Sequence, residues 1–263
     1  MSAEHKLFLK KIKLKKIKII SFQILIILAF LLIWELLVNY EIISAFIYSS
    51  PSRILETIIE LINADNFFIH IFTTLKEVII SFILGISIGF IVALILYEFK
   101  TLAIIIDPFL TMLNSLPKVA LGPLIIIIFG ANTKSIIIMA LLINLIVSII
   151  TIYNGFLNTD EYKLKLFKTM NASKLQTLTN LVIPSSYQTI IASFKLCIAQ
   201  TLIGVIMGEF LVSKQGIGYL IVYGKQVFNL NLVMTGIILL AIISYILYKI
   251  IIILEKKLLK HIS

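Results

Sequence analysis

Long apolar runs separated by short polar breaks dominate the chain from residue 19 onward. Six of them, 19–38, 69–97, 101–129, 135–154, 184–208 and 232–254, reach the length of about 20 residues that a membrane helix needs. The pattern predicts an all-α integral membrane protein with six transmembrane helices. The runs 69–97 and 101–129 are longer than a perpendicular crossing requires, so each is expected to tilt, break or extend beyond the bilayer. After the first run, Ser50-Pro51-Ser52 predicts the start of a short amphipathic external helix, with Ile54, Leu55, Ile58, Ile59 and Ile62 on one face. Proline suits that first turn, where its missing donor would be unpaired in any case. The longest polar stretch between runs, 158–180, keeps a helical period in Tyr162, Leu166, Phe167 and Met170, which gives one apolar face. Asn171, Ser173, Gln176 and Thr177 follow, and Pro184 opens the next run. The order predicts helix, elbow at Asn171, helix.

Composition removes the soluble alternatives. The 263 residues are 60% hydrophobic and 14% charged, with a mean hydropathy of +1.10, against about 45–50% and about 25% in a soluble domain. Lys+Arg exceed Asp+Glu by 23 to 13, a net charge of +10. The lysines cluster at the ends of apolar runs, so the surplus points to topology and the anionic headgroups of a lipid bilayer, with no nucleic acid expected. They gather before the first run, after the fourth at Lys163, Lys165, Lys168 and Lys174, and at the end at Lys256, Lys257 and Lys260. With six crossings these regions share one side, which the positive-inside rule makes cytoplasmic. The expected organisation is N-in and C-in: a basic cytoplasmic segment 1–18, a transmembrane domain 19–254 and a basic tail 255–263. Residues 6–17 mix lysine with large apolar side chains, which fits either a helix lying on the inner leaflet or a plain topogenic flank.

Candidate chemistry is sparse. Lys134-Ser135 resembles the end of a phosphate loop, but Thr133 replaces the glycine and no strand precedes it. The chain is not expected to bind ATP by itself. Cys197 is the only cysteine, and His5, His70 and His261 are scattered, so no metal site is expected. No catalytic constellation is visible, and an enzyme is not expected. Gly85-Gly89 and Gly204-Gly208 are GxxxG spacings inside apolar runs, which allow close helix packing. Ionisable residues inside membrane helices are functional candidates; these are Glu35, Lys76-Glu77, Lys118, Lys195 and Glu209, most of them near run ends, where snorkelling also accounts for them. Pro117 and Pro123 interrupt the third run, with Asn114, Ser115, Lys118 and Gly122 around them. Proline breaks the helical ladder, and irregular backbone at that depth survives only against protein or a water-filled cavity. Asn114, Ser115, Pro117, Lys118 and Glu209 are therefore candidates for a translocation pathway, while a packed kink explains the prolines equally well.

Taken in order, several segments resemble the permease subunits of ATP-binding-cassette importers, in the branch that takes up nitrate, sulfonates, taurine and related small solutes. The family signature is a cytoplasmic Glu-Ala-Ala, three residues, Gly, nine residues, Ile, one residue, Leu-Pro. Setting Asn171 on the Gly places Leu181, Ile183 and Pro184 at the later positions with the spacing intact. Lys165-Leu166-Phe167 stands in place of Glu-Ala-Ala, and Asn171 replaces the Gly; asparagine is the next best residue for a left-handed elbow. Trp34-Glu35, Ser50-Pro51-Ser52, Thr74-Leu75-Lys76 through Phe82 to Gly89, Leu116-Pro117 through Phe129-Gly130, and Glu209 with Gly216-Ile217-Gly218-Tyr219 resemble further family patterns.

The resemblance implies a multi-pass permease of the cell membrane that pairs with a second copy, a homodimer, and encloses the pathway between the two bundles. Two cytoplasmic ATPase subunits, carrying the ATP and Mg, would dock on a coupling helix built from Lys165, Leu166, Phe167, Met170, Asn171 and Ala172. No cofactor would be bound by this chain. An extracytoplasmic solute-binding protein would deliver a small anion of the nitrate, sulfonate or taurine kind, or a heterocycle like a thiamine pyrimidine precursor. The rival readings are a stand-alone secondary transporter or channel and a membrane scaffold. Secondary transporters often show two related halves, and no internal repeat is found here; a scaffold would not need the broken third run.

Overall fold

The longest helices form where the apolar runs predict them, and one of them reaches further than expected. The computed structural model describes the backbone of residues 3–64 and 67–260 and the side chains of 10–64 and 67–257. The first helix, α1, spans Ala3–Asn39 without interruption. The basic segment is therefore no separate surface helix: from residue 3 to 39 there is neither glycine nor proline to stop the turn, and lysine and leucine are good helix formers. His261 and the last residues of the basic tail lie outside the described residues.

After the short α2 (Ala45–Tyr48) comes α3 (Pro51–Asn63), with Pro51 in its first turn and the Ser50 hydroxyl accepting from Arg53 N at 3.4 Å. Its expected single apolar face is divided. Ile54 and Thr57 are buried, whereas Leu55, Ile59 and Ile62 are exposed, because α3 rests on its neighbours along one stripe only and the next stripe looks outward. Glu35 of α1 accepts from Ser52 N at 3.1 Å and Ser52 Oγ at 2.8 Å. A carboxylate at the positive end of a helix is favourable, and here it ties α1 to α3.

The centre of the fold is α4 (Phe67–Glu98), α7 (Thr133–Leu157) and α11 (Tyr187–Val212), with α7 packed along both others. In lipid, close packing and interhelical hydrogen bonds drive such association, and both are present. A Cβ on Gly204 would fall 2.5 Å from Ala140 Cα, and one on Gly208 2.9 Å from Ile136 Cα. On the other side of α7, Gly85 makes room for the Asn144 side chain and Gly89 for Ser148. Asn144 Nδ2 donates to Ser81 O at 3.1 Å and to Thr201 Oγ1 at 2.6 Å, and Ser148 Oγ donates to Gly85 O at 3.1 Å. Apolar clusters flank this polar seam: Val78, Ile136, Val205 and Ile217 on one side, and Ala93, Ile152, Phe156 and Val182 on the other.

The third run is two helices, α5 (Lys100–Ser115) and α6 (Gly122–Phe129), joined through a 3₁₀ turn at Lys118–Leu121 and bent by 85°. Following α7 are α8 (Glu161–Thr169), α9 (Lys174–Thr177), a π-turn at Leu178–Val182 and α10 (Ile183–Ser185). Pro184 thus sits in a short turn before α11 instead of opening the long helix. The segment after α11 is not merely a loop: α12 (Ile217–Gln226) packs on α13 (Leu230–Lys260). Among the described residues five helices, α1, α4, α7, α11 and α13, are long and apolar enough to cross a membrane, and the α5–α6 pair makes six if it counts as one span.

Candidate functional site

Three regions collect the residues singled out by the sequence. The first is the end of the bundle that carries α8. Asp160 caps this helix by accepting from Tyr162 N at 2.8 Å, Glu161 lies in its first turn and Lys168 in its last, an order that suits the helix dipole. The helix stops at Asn171, whose φ is +53°. Ala172 N bonds back to Phe167 O at 3.0 Å and Asn171 N to Lys168 O at 3.1 Å, the paired closure of a Schellman motif. Two residues on, Ser173 and Gln176 form a capping box that starts α9. The elbow is therefore closed on both sides by backbone bonds. Lys174 fixes α9 to the end of α4 through a 2.7 Å ion pair with Glu98.

Around α8, Leu164 packs towards the Phe156 cluster and Phe167 is half-buried. Tyr162, Leu166 and Met170 lie outward, Leu166 at 55% and Met170 at 70% exposure. The apolar face read as one from the sequence is thus shared, with Phe167 turned partly inward and the other three free. Lys165 is exposed, its Nζ over the Tyr162 ring at 5.8 Å from the centroid. Ala172 is half-buried beside a cleft that Lys100, Lys168 and Lys174 also line.

The second region is the break between α5 and α6. Asn114, Ser115 and Pro117 are exposed and Lys118 is half-buried. Helix ends leave carbonyls without partners, and the broken end supplies its own: Lys118 Nζ donates to Asn114 O at 3.0 Å and Asn114 Oδ1 at 3.3 Å, and Ser115 Oγ to Thr111 O at 2.9 Å. Lys118 is placed as a cap on α5. Pro123 lies in the first turn of α6, a position where its missing donor costs nothing.

The third region, at the opposite end, contains Glu209, which is 1% exposed. Its hydrogen bonds go to residues other than the remaining pathway candidates. Its Oε1 accepts from Thr74 Oγ1 at 2.6 Å and its Oε2 from Gly218 N at 2.5 Å. Thr74 Oγ1 accepts from Ile217 N at 2.9 Å, and His70 Nδ1 from Gly216 N at 3.1 Å. The first turn of α12 is thus held by side chains of α4 and α11. Gly216 has φ +107°, a conformation open to glycine, and a Cβ on Gly218 would meet the Glu209 carboxylate at 2.7 Å. Sequence reading marked Glu209 and missed Thr74 and His70 as its companions; their separation of more than 130 residues leaves no local signal. Lys195, another marked residue, pairs with Glu255 of α13 at 2.7 Å. Among the described residues, no group of three or more His, Cys, Asp or Glu is arranged to hold a metal ion.

Comparisons with known proteins agree with this architecture. Residues 85–262 match the family described as the binding-protein-dependent transport system inner membrane component. The chain is 26% identical over 228 residues to the SsuC protein of Bacillus subtilis, named as an aliphatic sulfonates transport permease, covering 87% of this chain and 83% of that one. It is 27% identical over 195 residues to the formylaminopyrimidine transport permease protein ThiX of Halalkalibacterium halodurans, covering 74% and 77%. An inward-facing structure of the MetNI methionine ABC transporter superposes with a TM-score of 0.62 at 17% identity, covering 73% of this chain and 94% of that one; at that identity the likeness shows the fold. With that model matched along two thirds of its length, the chain belongs to the binding-protein-dependent transport system inner membrane component family.

Proposed function

We propose that the chain is the membrane-spanning half of an ATP-driven importer that takes up a small solute, a sulfonate- or taurine-like anion or a pyrimidine-like heterocycle. In this reading two copies enclose the pathway. ATP and Mg are bound by separate ATPase subunits, and a solute-binding protein docks on the outer face. The α8 end faces the cytoplasm, with both termini on that side. The observation that carries the reading is the free apolar face of Tyr162, Leu166 and Met170 on a short helix rooted in the bundle through Leu164 and the Glu98–Lys174 pair. An exposed apolar patch of this kind marks an interaction site. ATPase closure would move α8, and the bundles would switch between inward- and outward-open states as rigid bodies.

Two labelling experiments test this reading. In a Cys197→Ser background, cysteines at Asn158 and Lys214 should react with an impermeant reagent from opposite sides of the membrane; reaction of both from one side of intact cells would refute the orientation. Cysteines at Asn114 and Ser115 should react with a small hydrophilic reagent, and ATP together with the ATPase subunits should change the rate. Equal rates in all states, in a transport-competent complex, would show that the α5–α6 break does not line the pathway.

A further inference from the structure

The cleft behind α8 collects charge that the capping and pairing described above do not use. It holds about 440 Å³ and is bounded by the end of α4, the start of α5, α8 and α9; small-ligand pockets range over about 300–1,000 Å³. Lys100, Lys168 and Lys174 line it against a single acid, Glu98. Glu98 is taken by Lys174 at 2.7 Å, and among the described residues Lys100 and Lys168 form no ion pair. Lys168 stands one turn after Leu164, whose side chain packs towards the bundle. It therefore lies on the inner side of α8, away from the free face of Tyr162, Leu166 and Met170. The positive-inside rule accounts for lysines at this end of the bundle, but not for their meeting in one cleft from three separate elements. The surroundings are those of a membrane surface. Helix α4 is long and apolar enough to cross a membrane, and its apolar residues run to Tyr97. Ile95, Phe99 and Leu102, close in sequence to the cleft residues Glu98 and Lys100, are exposed.

We propose that this cleft binds the phosphate of an anionic phospholipid headgroup, with Lys100 and Lys168 as its charge partners and the acyl chains lying along Ile95, Phe99 and Leu102. Basic pockets between membrane helices take phospholipid headgroups in this way, and hydrogen bonds from ammonium groups to phosphate are of the strong, charge-assisted kind. Lys100 belongs to α5 and Lys168 to α8. One bound phosphate would join the two and brace α8 from behind, beside the Glu98–Lys174 pair, while the outer face of α8 stays free for a protein partner. The site requires that α4 ends at a bilayer surface and does not depend on transport.

The test titrates the full-length chain, purified in detergent, with phosphatidylglycerol or phosphatidylcholine and counts bound lipids by native mass spectrometry, with inorganic phosphate added as a competitor. Phosphatidylglycerol should bind the more tightly, and it should slow hydrogen exchange across residues 161–177. Lys100→Gln with Lys168→Gln should weaken its binding roughly thirty-fold, the product of about five-fold for each lysine near a membrane surface. Lys163→Gln with Lys256→Gln removes the same two charges from exposed residues that do not line the cleft, and should change binding little. Glu98→Gln removes the acid of the cleft, frees Lys174 and should tighten binding. Equal weakening by the two lysine pairs would reduce the effect to diffuse attraction and overturn the proposal. Displacement of the lipid by inorganic phosphate at comparable concentration would make a soluble anion the occupant and also overturn it. If the Lys100/Lys168 variant fails to fold, Glu98→Gln decides: unchanged or weaker binding by that variant overturns the site.

Discussion

Replacing Leu166 and Met170 together with alanine should abolish ATP-dependent uptake while leaving the permease inserted and folded. Both side chains are exposed, Leu166 at 55% and Met170 at 70%, so truncating them removes little from the chain's own stability. Apolar anchors at the centre of an interface often cost about 2 kcal/mol or more each when cut back, which corresponds to roughly thirty-fold in affinity. The ATPase subunits should therefore fail to co-purify with the double variant. Lys163→Ala is the control: that lysine is exposed on the same helix, and exposed charges contribute under about 1 kcal/mol. Phe167→Ala should behave differently from both. Its side chain is half-buried, so it should lower thermal stability as well as docking. Full docking and uptake by the Leu166/Met170 variant would remove α8 as the coupling element.

Gly204→Leu should prevent the bundle from assembling. A Cβ at this position would already lie 2.5 Å from the Ala140 Cα, so the clash is with backbone and no rotamer can relieve it. Helix α11 would have to separate from α7 along the seam where Asn144 donates to Thr201. Overpacking costs about 1–3 kcal/mol where side chains can shift, and here the expected loss is at least at the upper end of that range. Size-exclusion profiles and thermal unfolding in detergent should show an aggregated or strongly destabilised protein. Ala192→Leu lies on the same helix and is exposed; within the single chain it should be close to neutral. A Gly204→Leu variant with wild-type stability would mean that α7 and α11 do not approach as described.

Hydropathy made the helices readable because lipid demands an unbroken apolar stretch, and α4, α7, α11 and α13 answer that demand directly. Pro117 and Asn171 were equally legible: one cannot continue a helix, and the other readily adopts the left-handed turn that ends one. The GxxxG glycines announced close packing, but nothing in their spacing said that all four face α7. The anchor on α12 was hidden for a different reason. Glu209 looked like a charge near a helix end, and only the folded chain brings Thr74 to it and His70 to the same turn. The continuous α1 was missed because composition changes at residue 19 while helix propensity does not. The divided face of α3 followed from what its neighbours cover, which no single helix records.

Helix α1 and helix α7 place opposite demands on their own sequences. Only 6% of the apolar window of α1 is buried inside the chain, against 50% for α7. Within the chain, α1 answers to length and oiliness, so one large aliphatic residue can stand in for another over most of its course. Exceptions gather towards its end, where Glu35 bonds Ser52, Val38 is buried, and Trp34 and Leu37 line a cleft with Met234 and Ile238. Helix α7 answers to shape, since Ala140, Asn144 and Ser148 each fit a particular gap or partner. A deep substitution scan read out by folded yield should therefore show a broad, permissive band across α1 and a narrow, position-by-position code across α7. For engineering, tags, labels and tethers belong on the first helix, and the centre of the bundle is best left alone.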